Sequence, residues 1–94
     1  MTVDKRRLNK ELTWLEEIAR AATFEALQSY EAVPVELRRQ LVLGTLFDGE
    51  DRIFELYVPG ERPADALVFT SARINRHTRT VDVKVSNLAR KSRA

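Results

Sequence analysis

The chain has 94 residues, 44% of them hydrophobic and 32% charged, and it contains no cysteine. That length suits one domain and not two, and the missing thiols exclude disulfides, thiolate catalysis and cysteine metal sites. Apolar runs are far shorter than the roughly 20 residues that cross a bilayer, and the amino terminus has no signal-like apolar region, so no membrane association is expected and a reducing cytoplasm is the expected compartment.

The net charge of +2 conceals three blocks. Residues 1–10 have a balance of +3, residues 11–72 of −7, and residues 73–94 of +6. An acidic body between basic ends can attract anions locally or pair with the opposite pole of another protein.

From Asp4 to about Val33, Leu8, Leu12, Leu15, Ile18, Ala19, Ala22, Ala26 and Tyr30 recur every three or four residues. This spacing predicts a helix over 4–33 with one apolar stripe, Asp4 as its N-cap, and a break near Thr23 as an option. Trp14 and Phe24 lie off the stripe. Val33-Pro34 ends the pattern, and Pro34 can open a short second helix through Val35–Arg39.

From residue 41 to 87 the texture is that of strands. Leu41–Phe47, Arg52–Val58, Ala66–Asn75 and Thr80–Asn87 are rich in β-branched, leucine and aromatic residues. Asp48-Gly49-Glu50-Asp51, Pro59–Asp65 and Asn75–Arg79 supply the turns. Short links between consecutive strands predict a four-stranded antiparallel meander, with Gly44 marking a bulge or bend. Residues 88–94 read as a frayed basic tail. The expected fold is a single α+β domain over 1–94, its helix packed on the sheet. In layout it resembles cystatin-like or reduced NTF2-like proteins, in which a curved sheet cradles a helix.

Few residues carry chemistry. His77, the only histidine, sits in a cationic turn that repels metal ions and reads as an exposed turn residue. Asp48, Glu50 and Asp51 share a loop too short for an EF-hand. Ser29, Ser71, Ser86 and Ser92 fit no nucleophile motif, and Gly44, Gly49 and Gly60 are too dispersed to cradle phosphate. No cofactor, metal or enzymatic activity is expected.

The first three strands are apolar on both sides, with Val42, Leu46, Ile53 and Tyr57 opposing the side the helix would cover. One helix covers one face, so a remaining apolar patch predicts a partner, either another protein or a second copy. Folding of 34–40 back over the patch is the competing expectation. The expected reading is a non-catalytic protein-binding module. Trp14, Phe24 and Tyr57 would be its apolar anchors, and Asp48, Glu50 and Asp51 its charged contacts. In size, acidic body and layout the chain is similar to the immunity proteins that bacteria keep against toxin domains. That resemblance implies blocking a basic toxin site by shape and charge. Two alternatives stay open: nucleic-acid contact through Arg73, Arg76, Arg79, Lys84, Arg90 and Lys91, and an NTF2-like pocket for a small ligand, as a carrier or an enzyme.

Overall fold

The apolar stripe of the first thirty residues forms α1, Lys5–Leu27, a helix of 23 residues and roughly 34 Å. The structure, a computed structural model, describes residues 5–91 and, within α1, side chains from Lys10 onward. The expected N-cap Asp4 and the tail residue Arg93 lie outside the described residues. Leu15 and Ala19 are buried in the core, flanked by half-buried Leu12 and Ile18.

α1 stops six residues before Val33, and no break occurs near Thr23. Gln28, Ser29 and Tyr30 donate their amides to carbonyls three residues back, tightening the last turn. The chain then pairs with its own carboxy-terminal segment. Tyr30 bridges Arg90, the Glu31 amide reaches the Ala89 carbonyl at 2.7 Å, and the Lys91 amide reaches Ser29 at 3.0 Å. The Arg90 guanidinium lies 5.5 Å from the centre of the Tyr30 ring. The described part of the expected frayed tail is therefore pinned, because these backbone bonds replace helical ones.

α2, Val35–Arg38, follows Pro34, whose carbonyl accepts the Leu37 and Arg38 amides at 2.9 and 3.2 Å. It buries no residue, and Val35 stays 69% exposed. The fold-back of 34–40 over the patch does not occur.

Strands β1 (Val42–Asp48), β2 (Asp51–Val58), β3 (Leu67–Asn75) and β4 (Val81–Val85) pair antiparallel in the order β1-β2-β3-β4, and a 3₁₀ turn, Pro63–Asp65, precedes β3. The fold is thus α+β, a helix on a meander. β1 and β2 are joined by the two-residue turn Gly49-Glu50, with Gly49 at φ +59°, the left-handed first position that glycine fills without strain. The β3–β4 turn is closed by Asn75, whose Oδ1 accepts the His77 and Thr78 amides at 2.9 and 3.0 Å.

The bulge falls on β3, not at Gly44. Leu56 faces Thr70 while Tyr57 faces Val68, leaving Phe69 as the extra residue. Phe69 is buried, and its carbonyl accepts the Ser86 amide at 2.8 Å. Gly44 pairs regularly with Glu55. The Tyr57 ring lies over it, so a Cβ there would meet Tyr57 Cε1 at 2.9 Å unless the ring moved.

The core joins Leu15 and Ala19 to Phe54, Ala72 and Ile74, with Val81 and Val83 at its margin. α1 therefore lies over β3 and β4 and reaches β2 only at its side. That offset positions everything below.

Candidate protein-interaction surface

Because α1 sits over the β3–β4 half, β1 is uncovered on both of its sides. Register places Leu43, Thr45 and Phe47 on the helix side with Arg52, Phe54 and Leu56, and Val42, Gly44 and Leu46 on the opposite side with Ile53 and Tyr57. Leu43 and Phe47 are 43% and 64% exposed, and Val42 and Leu46 are 40% and 51%. The sequence expectation assigned Leu43 and Phe47 to the covered side. The structure leaves them open because no helix reaches β1. Ile53 and Tyr57, expected in the patch, are half-buried between strands.

A groove of about 290 Å³ runs between α1 and the β1–β2 half of the sheet. Ala19, Phe24 and Leu27 form one wall, with Leu43, Phe54 and Leu56 on the other. Its only charged lining is Glu16 and Arg20, which pair with each other at 3.2 Å. Thr23 and Thr70 complete a lining that is chiefly apolar and suits apolar side chains.

The three aromatic anchors do not converge. Phe24, 69% exposed, borders the groove. Tyr57 lies on the opposite sheet face over Gly44. Trp14, 46% exposed, stands at the far end beside the β3–β4 turn, with the Arg79 guanidinium 3.8 Å from its ring centre. Residues far apart in the chain make these placements, so periodicity alone does not reveal them.

The acidic turn is largely engaged within the molecule. Arg73 Nη2 donates to Asp48 at 2.9 Å and Nη1 to Asp51 at 2.6 Å, while Asn75 Nδ2 donates to the other Asp51 oxygen at 3.1 Å. The bond from Arg73 holds Asp51 below its ordinary carboxylate range, with Asn75 adding to the effect and partial burial opposing it. The same bond to Asp51, and then the one to Asp48, raises Arg73. Glu50 Oε2 lies 2.7 Å from His77 Nε2 on the exposed surface.

The residues of the basic alternative are similarly occupied or scattered. Arg73 is held by two aspartates, and Arg76 is held by Glu11 at 2.9 Å. Arg79 covers Trp14 and Arg90 lies against Tyr30. Lys84 and Lys91 are exposed, Lys84 on the face away from α1. Phosphate contact needs free cations along one track, and the two arginines at the heart of the ribbon are neutralised by carboxylates. Among the described residues no cluster of three His, Asp or Glu side chains could hold a metal ion, and no helix is long and apolar enough to cross a membrane.

No family model, curated protein or solved structure matches this chain. The likeness to cystatin-like and reduced NTF2-like layouts is therefore one of element order alone.

Proposed function

We propose that this protein is a non-catalytic binding module that acts by protein–protein association. The observation that carries this reading is β1, an edge strand whose large apolar side chains are exposed on both sides of the sheet. Native edges are usually blunted by lysine, proline or a covering element; β1 contains neither lysine nor proline, and no element among the described residues covers it. Each of its four large apolar residues contributes roughly 1.5–3 kcal/mol when fully buried. A β-strand or an apolar segment of another protein laid along this edge and into the groove would bury them. Inhibition of a toxin domain or service as a small accessory subunit both fit this mode of action.

The test is affinity capture from native extract combined with mass measurement in solution. A stoichiometric protein complex, hetero- or homomeric, that is lost on replacing Leu46 and Phe47 with serine supports the reading. A monomer that captures nothing overturns it.

A further inference from the structure

We infer that the protein pairs with a second copy of itself through β1, in the antiparallel register that places Thr45 opposite Thr45. This rests on the binding reading above and names the partner.

The two-residue turn fixes which groups are free. Asp48 and Asp51 close the hairpin as a hydrogen-bonded pair, so Asp48, Leu46, Gly44 and Val42 direct their backbone groups toward β2. Leu43, Thr45 and Phe47 consequently direct theirs outward. A two-fold axis at Thr45 pairs the whole strand and engages all three outward residues. Leu43 of each copy then lies beside Phe47 of the other on the helix side, and Leu46 lies opposite Gly44 on the other side. The smallest residue of the strand thus receives a large one.

Charge favours the same arrangement. Arg38 and Arg39 precede the strand, and neither is paired with a carboxylate among the described residues. The turn that follows it carries three carboxylates, Asp48, Glu50 and Asp51, against the two guanidiniums of Arg52 and Arg73, so after its internal pairing it keeps a single net negative charge. Antiparallel pairing brings the arginines of each copy to the acidic turn of the other, at both ends of a roughly 24 Å ladder. A parallel pairing would set like charges together.

Pairing also sets the side chains of the facing β1 beside the exposed apolar residues on both faces, which shields them laterally. In the pair, β1 becomes one of two central strands in an eight-stranded sheet. The contact is isologous, so it closes at two copies and leaves only the β4 edges free.

Solution mass and single-cysteine cross-linking test this in a chain that has no native thiol. In an antiparallel hydrogen-bonded pair the Cα atoms are about 5.5 Å apart, within disulfide range. A dimer mass is expected, with Thr45→Cys cross-linking under mild oxidation and Phe47→Cys, far from its own copy, failing to do so. Thr45→Pro blocks an outward amide and should give a monomer that keeps the native circular dichroism. If that variant does not fold, Arg38→Glu/Arg39→Glu should still raise the dimer dissociation constant roughly three- to tenfold at low salt. A dimer that cross-links equally at both positions overturns the β1 register. A monomer that captures a different protein overturns self-pairing while sustaining the binding reading, and a monomer that captures nothing overturns both.

Discussion

Arg79 covers Trp14: its guanidinium lies 3.8 Å from the ring centre, although 65 positions separate the two in the chain. The contact fastens the β3–β4 turn to the first half of α1, where Arg76 also meets Glu11. Arg79 holds a left-handed backbone, φ +60°, which disfavours a residue with a Cβ by about 1 kcal/mol. A cation over an exposed ring returns roughly 0.5–1 kcal/mol. Arg79→Ala keeps the strain and loses the contact, so urea unfolding should show a loss of roughly 0.5–1 kcal/mol. Arg79→Gly loses both and should lie within about 0.5 kcal/mol of the parent. If the alanine variant is as stable as the parent, the stacking contributes nothing; if it only matches the glycine variant, the left-handed backbone carries no cost. Trp14 is the only tryptophan, so its fluorescence reads the contact directly.

The offset of α1 predicts an uneven response to truncation. Leu15 is 1% exposed and packs into the main core, so Leu15→Ala should destabilise by about 2–5 kcal/mol. Phe24 belongs to the same helix but is 69% exposed. Phe24→Ser should change stability by less than about 1 kcal/mol in a monomeric reference state, because little apolar surface is lost from the interior. Comparable losses for the two variants would mean that the groove is closed in solution.

Two glycines differ in what a side chain would meet. At Gly60 a Cβ would stand 2.5 Å from Asp65 Cβ and 2.7 Å from its backbone, which the 3₁₀ turn holds in place. Gly60→Ala should therefore cost about 1–3 kcal/mol. At Gly44 the obstacle is the Tyr57 ring, which can swing aside, so Gly44→Ala should cost roughly 1 kcal/mol or less. In a Tyr57→Ala background the Gly44 penalty should vanish, and a double-mutant cycle measures this. A Gly44 penalty that persists without the ring would point to the backbone instead.

The elements were legible because their signals are local. Leu12, Leu15, Ile18 and Ala19 repeat at helical spacing, and Asp48-Gly49 and Asn75 carry turn chemistry within a few residues. Features that depend on distant partners were not. The helix stops at Leu27 because Ser29 and Glu31 bond to a segment some sixty residues away. Leu43 and Phe47 belong by alternation to the helix side, yet whether they are covered depends on where α1 crosses the sheet. Asp48 and Asp51 look like free contacts in sequence, and only the return of β3 brings Arg73 onto them.

That same Arg73 bridge makes stability depend on acidity in a definite direction. Asp51 is held below its ordinary value in the folded chain, chiefly by the bond from Arg73, so the folded state favours its charged form more than the unfolded state does. The contribution is fully present above the unfolded carboxylate value. It is lost as pH falls through the depressed folded value, and folding stability should decline on acidification across that window. Asp51→Asn removes the titrating group and should flatten this part of the profile in thermal melts. Arg73→Gln should move the Asp51 titration, followed by carboxyl NMR, back up toward its ordinary position. An Asp51 titration unmoved in Arg73→Gln would show that the bridge is not formed in solution.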